Sequence, residues 1–219
     1  MARTRLLHAG VARAVEQLHG EAATEHAELL AYHLVRSQTR TLTPKALRYL
    51  TAAARGALAR HADVEAANYL ALALSVLEEW DHGDGSDLEP DLTQGALFGL
   101  LAQARQRQGR YQEALDLWER SLEQMPGAPP KTVASVRRAM GLVCYWSGRY
   151  AEAITFFQKG LDVIPAEDER GAAVIRLARG TCLQELGASD DARSDIQSTL
   201  ETAERLGDVS LLARAHRAL

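Results

Sequence analysis

The sequence predicts an all-α fold: a solenoid of about five helix pairs followed by the start of one more helix. Three observations carry this prediction. Gly109, Gly148 and Gly187 stand 39 residues apart, and a fixed period in this range marks stacked repeats. Each glycine divides two segments whose apolar residues recur at helical spacing. Alanine or glycine recurs at fixed offsets on both flanks, where small side chains let paired helices approach closely.

Residues 4–19 read as an amphipathic helix with Leu7, Val11, Ala14, Val15 and Leu18 on its inward stripe. His19-Gly20 ends it. Thr24 is expected to cap a second helix over about 23–36, with Ala27, Leu30, Ala31 and Leu34 inward. Ser37 to Thr43 form a polar connection. Thr43-Pro44 opens a third helix, because proline is preorganised for a first turn. Its stripe is Leu47, Leu50, Ala54 and Leu58. Arg60 to Asp63 turn the chain, and His61 stands where later copies carry the turn glycine. A helix over about 63–79 carries Ala66, Leu70, Ala73, Leu74 and Leu77. Residues 1–79 are therefore expected to be degenerate helical repeats. Residues 80–91 read as an acidic, glycine-containing linker. The carboxylates from Asp81 to Asp91 do not follow the order of a calcium-binding loop with its distant glutamate. A solvated connection is the expectation there.

Residues 92–206 hold three fuller repeats, with helices expected over 91–108, 111–125, 132–147, 150–164, 171–186 and 190–206. The clearest copy runs from Gly109 through Tyr111 and Ala114 to Trp118. It recurs as Gly148, Tyr150, Ala153 and Phe157, and more faintly as Gly187, Ser189, Ala192 and Ile196. Glycine enters the left-handed region that reverses the chain. The tyrosine covers the turn, the alanine allows a close crossing, and the large residue fills the space beside it. Ala102, Gly141 and Gly180 precede their glycines by seven residues and are again small. Pro126 and Pro165 stop the second helices, whereas Glu204 replaces that proline in the third copy, whose helix runs to about Leu206. Residues 207–219, with Leu211, Leu212 and Ala215, begin a further helix. Arrays end on a polar capping element, so the chain is expected to be a piece of a longer protein.

The order small residue, glycine, tyrosine, alanine, aromatic, proline resembles the tetratricopeptide repeat, a helix–turn–helix unit, over residues 95–206. The period exceeds the roughly 34 residues usual for it, and the surplus follows each proline. The resemblance implies a right-handed α–α superhelix whose first helices line a concave groove for peptides or partner helices. Mapped onto this chain, Gln103, Gln106 and Arg107 would line the groove from one repeat. Ser135, Arg138, Leu142, Tyr145 and Trp146 would follow from the next, and Leu177, Thr181 and Gln184 from the last. Tyr145 and Trp146 are the sharpest candidates, because aromatic residues beside arginine often dominate interfaces. The competing reading of each is inter-repeat core. The family's carboxylate-clamp asparagine would fall at Gln103, Leu142 or Thr181 and is missing, which argues against a chaperone C-terminus as partner.

A second likeness covers residues 4–80. Arg5 to Glu16, His26 to His33 and Lys45 to Leu50 are similar to the helical region after the nucleotide-binding module of bacterial signalling ATPases. These include LuxR-type activators of the maltose-regulon kind and cyclase-fused relatives. The likeness implies a sensor or partner-docking arm. No phosphate-binding loop G-x-x-x-x-G-K-[ST] occurs, so no nucleotide site follows from it.

A net charge of −4 gives no general attraction to nucleic acid or to an anionic membrane. No apolar run approaches the ~20 residues of a membrane span, and Met1 to Leu7 lacks a signal-peptide core. These features point to the cytoplasm. Cys144 and Cys182 fall at similar points of successive repeats and read as buried small hydrophobes. His26 and His33 share a helical face, but zinc needs three or four converging ligands. No nucleophile elbow occurs. The expected function is therefore a non-enzymatic interaction or sensor module of a larger bacterial signalling or transcriptional regulator, with no cofactor or metal. Its partners would be a protein or peptide and the rest of its parent chain. The alternatives are a small-molecule-sensing arm of an ATPase or cyclase, and a structural spacer that dimerises through the exposed terminal helix.

Overall fold

The computed structural model describes residues 2–80 and 89–219. The described residues form eleven α-helices and no strand. They are α1 (Ala2–His19), α2 (Ala27–Ser37), α3 (Thr43–Ala59), α4 (Asp63–Glu78), α5 (Gln94–Arg107), α6 (Tyr111–Glu123), α7 (Pro130–Trp146), α8 (Tyr150–Leu161), α9 (Glu169–Glu185), α10 (Ser189–Leu206) and α11 (Val209–Ala218). Most of the acidic linker, residues 81–88, lies outside the described residues, and so does the calcium alternative weighed for it. Contacts group the chain into two compact units, Met1–Glu113 and Ala114–Leu219, with the division inside α6.

One backbone device makes the turns. At Gly109, Gly148 and Gly187 the chain enters positive φ, at 72°, 74° and 77°. The next residue's N–H reaches back to the carbonyl five residues earlier: Arg110 to Arg105 at 2.9 Å, Arg149 to Cys144 at 2.8 Å, Ala188 to Leu183 at 2.9 Å. The glycine N–H itself bonds three residues back, to Gln106, Tyr145 and Gln184. These paired bonds satisfy carbonyls that a helix end otherwise orphans. His61 does the same work in the degenerate copy. Its φ is +59°, and the Ala62 N–H donates to the Ala57 carbonyl at 2.9 Å. Gly207, at φ +65°, closes α10 in the same way.

In the first unit α1 packs on α2, α2 on α3, α3 on α4, and α4 on α5. The inward residues expected for α2 and α3 are buried, namely Ala27, Leu30, Ala31, Leu34, Leu47, Leu50, Ala54 and Leu58. Two expectations fail here. The stripe Leu7, Val11, Ala14 and Leu18 faces outward, and Leu18 is 79% exposed. α1 is turned by one residue, about 100°, so that His8, Ala12, Glu16 and His19 face its neighbours. Ala12 gives the close approach, and the polar tips find partners that leucines could not. Nδ1 of His8 lies 2.9 Å from Nδ1 of His33, the ring centroids of His19 and His26 lie 3.8 Å apart with the planes tilted by 43°, and Glu16 binds Lys45 and Tyr49. Burial, then the nearby His8 and Arg36, hold His33 below the usual imidazole range. The second failure is Thr24, which caps nothing. Residues Gly20–His26 form a 3₁₀ segment, and α2 starts at Ala27 without a side-chain cap.

In the second unit α7 packs on α8, α8 on α9, α9 on α10, and α11 on both α9 and α10. Small and large residues nest as their spacing implied. A Cβ placed on Gly141 would stand 2.5 Å from Cε1 of Phe157, and one on Gly180 would stand 3.2 Å from Cγ1 of Ile196. Phe157, Ile196, Ala153 and Ala192 are buried, as is Ala114 at the start of the unit. Trp118 is half-buried. Ala173, Leu177, Ile196, Leu200, Ala203, Leu211 and Ala215 form one apolar cluster that seats α11.

Candidate functional site

The nesting of Gly141 on Phe157 and of Gly180 on Ile196 brings α7 and α9 close to their partners and leaves a hollow beside them. α7, α9 and α11 each contribute one face to it. The resulting cavity of about 500 Å³ is lined by Leu142, Tyr145 and Trp146 of α7 and by Leu177, Ala178 and Thr181 of α9. Arg214, Arg217 and Ala218 of α11 line it too, and the Phe157 ring closes its floor. This volume falls in the range of about 300–1,000 Å³ typical of binding clefts.

Five residues expected in the groove meet here: Leu142, Tyr145, Trp146, Leu177 and Thr181. Their exposure differs. Trp146 is 60% exposed. Tyr145 is half-buried; it packs edge-on against Trp146 at 5.1 Å and tilted against Tyr150 at 5.7 Å. Burial, followed by the Glu185 charge, raises its phenol above the usual range. Leu177 is mostly core and shows the cavity only an edge. The Thr181 hydroxyl donates to the Leu177 carbonyl of its own helix at 2.9 Å.

The remaining expected residues lie around or away from the cavity. Ser135 is exposed and Arg138 half-buried, both nearer the start of α7. Gln184 donates to the Ala218 carbonyl at 2.7 Å, tying α9 to α11. Gln103, Gln106 and Arg107 belong to the first unit. Arg107 donates to the Leu58 carbonyl at 2.7 Å and stands 3.5 Å from Asp63, so its guanidinium braces the α3–α4 turn. The two cysteines are free and buried. Burial pushes the Cys182 thiol up to about 12, far from the depressed value a reactive thiolate needs.

Sequence reasoning missed Arg214 and Arg217. Arg214 and Arg217 stand as far from the start of α11 as Ser135 and Arg138 stand from the start of α7. The 39-residue period carried onward from Ser135 and Arg138 reaches Ala213 and His216 instead, one residue short of them.

Arg214 and Arg217 bring positive charge to the cavity. Arg149, Arg170, Arg179 and Arg205 each face a carboxylate. Arg138, Arg214 and Arg217 form no ion pair among the described residues, and neither do Arg137, Arg176 and Arg193. Burial and the like charge of Arg214 together lower the Arg138 guanidinium from its ordinary value. A second hollow of about 570 Å³ lies between α8, α9 and α10. Its chief charges are already matched, because Arg179 grips Asp195 through two hydrogen bonds of 2.7 and 2.6 Å. Among the described residues no three metal-ligating side chains converge, and no helix is long and apolar enough to cross a membrane.

Comparison with known proteins matches a family model described as "Tetratricopeptide repeat" over residues 93–166 and again over 132–205. No curated protein matches the sequence. Among solved structures, aspartyl phosphate phosphatase F from Bacillus subtilis superposes with a TM-score of 0.71 at 14% identity, covering 93% of this chain and 51% of that one. MamA superposes at 0.60 with 16% identity, covering 95% and 97%. YrrB, described as a TPR protein with an unusual peptide-binding site, superposes at 0.60 with 15% identity, covering 96% and 90%. At such identities these likenesses establish the fold alone.

Proposed function

The chain belongs to the tetratricopeptide-repeat family, and from that premise we propose that it is a non-catalytic interaction module whose partner seats in the cavity of α7, α9 and α11. The observation that carries this reading is Trp146, a large apolar side chain 60% exposed at the edge of a cavity with a buried apolar floor. An aromatic side chain left in water beside arginines has the make-up of an interface anchor. A peptide is the favoured occupant, because three parallel faces form a trough in place of an enclosed pocket with a nucleophile and base. The likeness of residues 4–80 to signalling ATPases favours service as a sensor or docking arm of a larger bacterial regulator in the cytoplasm.

The test is site-specific photo-crosslinking in cells, with p-benzoylphenylalanine replacing Trp146 in one protein and Arg193, on the exposed side of α10, in another. The expected result is a discrete adduct from position 146 that position 193 does not give. Equal adducts from both positions, or none from 146, would refute the assignment.

A further inference from the structure

Four of the chain's seven histidines meet across one face of α1. Nδ1 of His8 lies 2.9 Å from Nδ1 of His33, with the ring centroids 5.0 Å apart. About three turns along α1, the centroids of His19 and His26 stand 3.8 Å apart. All four rings are half-buried. We propose that α1 is a pH-operated latch: in mild acid, charging of His8 with His33 and of His19 with His26 releases it from α2 and the 3₁₀ segment while the other helices stay folded. An Nδ1–Nδ1 contact needs one nitrogen to donate and the other to accept. The His8–His33 bond therefore holds with both rings neutral or with one charged. With both charged, two N–H groups point at each other and two positive charges share the gap. Charging both His19 and His26 likewise sets two cations side by side, so α1 is pushed at both ends.

The surroundings do not neutralise these charges. Tyr32 meets His8 edge-on at 5.9 Å and His33 at 5.1 Å. Arg36 sits over the Tyr32 ring at 4.3 Å and adds positive charge toward His33. On α1 itself Arg3, Arg5 and Arg13 are exposed, and Glu16 is engaged with Lys45 and Tyr49 of α3. Glu21 and Glu25 on the 3₁₀ segment and Glu28 on α2 are exposed, and Glu28 is taken by Arg60. None of the four histidines forms an ion pair with a carboxylate among the described residues. Burial, His8 and Arg36 hold His33 below the usual imidazole range. A released His33 takes its proton near the ordinary value of about 6.5. Docking is therefore complete above about pH 6.5 and is lost as the pH falls through the lower value of the docked ring. His61 and His216 are exposed, so charging them strains nothing, and acid acts on α1 first. Release uncovers the side of α2 on which α1 packs.

Hydrogen–deuterium exchange of the 219-residue chain, with EDTA present, reads α1 directly. Peptides from α1 and from α9 are compared at about pH 7.5 and about pH 5, on either side of the imidazole range, after correction for intrinsic exchange at each pH. Protection of α1 is expected to fall by about tenfold or more in acid while α9 changes by less than about threefold. His33→Gln/His26→Gln removes one charge from each pair and should leave α1 protected at both pH values. His8→Lys sets a permanent charge against His33 and should loosen α1 already at pH 7.5. Adding His33→Glu supplies the counter-charge and should restore docking at both pH values. This charge pair decides the matter should the glutamine variant leave α1 unprotected throughout. An α1 equally protected at both pH values, a fall shared by α9, an undiminished fall in the glutamine variant, or no rescue by His33→Glu would each overturn the proposal.

Discussion

Phe157→Ala is expected to lower the stability of the Ala114–Leu219 unit by about 3–5 kcal/mol, the cost of deleting a fully buried aromatic ring and leaving a hole. Phe157 has no exposed surface and lies over Gly141, where a Cβ would meet its ring carbons at 2.5, 2.7 and 2.8 Å. The converse substitution follows from the same contact. Gly141→Ala gains up to about 1 kcal/mol of helix propensity but drives a methyl group into the Phe157 ring, which must shift from its packed position, at about 1–3 kcal/mol. The overpacking wins. Gly180→Ala meets Ile196 at 3.2 Å, a smaller conflict, and should lie near neutrality. Urea unfolding of the three variants checks the order Phe157→Ala, Gly141→Ala, Gly180→Ala. Pairing Gly141→Ala with Phe157→Leu should cost less than the sum of the two changes, because the smaller side chain makes room for the methyl.

Asp195→Ala carries the second large effect, about 2–3 kcal/mol. The Asp195 side chain is 8% exposed and joined to Arg179, itself 22% exposed, by two hydrogen bonds. Removing one partner of a buried pair costs about 3–5 kcal/mol because the other charge is left stranded. Water still reaches part of Arg179, and Arg179 keeps a bond to Gln158, so the loss falls short of that range. Arg179→Met/Asp195→Leu should recover much of the deficit, since an apolar pair of similar bulk pays no desolvation. Thermal denaturation followed by circular dichroism reads both variants. A double variant as unstable as Asp195→Ala would show that the site depends on the charges themselves.

The features legible in the sequence are those fixed by local geometry. Gly109, Gly148 and Gly187 announced turns because only positive φ lets the 39-residue unit reverse, and their backbone bonds are alike. Even His61 was readable by position, although it carries the Cβ that makes that region costly. Gly141 with Phe157, and Gly180 with Ile196, were readable because a gap on one helix matched a bulk on the next. The face of α1 was not. Its leucines form a cleaner stripe than His8, Ala12, Glu16 and His19, but the choice was made by partners on α2, α3 and the 3₁₀ segment, which periodicity along one helix cannot see. Thr24 failed for a related reason: a cap residue implies a helix only if the following turn is α, and here it is 3₁₀. In the candidate site, the α7 and α9 faces followed from the repeat frame. The α11 face did not, because a lone last helix offered no second copy to align. Arg107 shows why spacing alone does not assign a long side chain: a guanidinium able to reach a groove can also reach the Leu58 carbonyl, to which it donates here.

The central claim is that the face shared by α7, α9 and α11 is the working surface. Backbone amide shifts recorded while the crosslinked partner is titrated into the chain test it directly. The account predicts that the perturbed amides cluster at Leu142, Tyr145, Trp146, Ala178, Thr181 and Arg214. Perturbations gathered instead around Thr155, Gln158, Lys159 and Ser194, on the hollow between α8, α9 and α10, would contradict it.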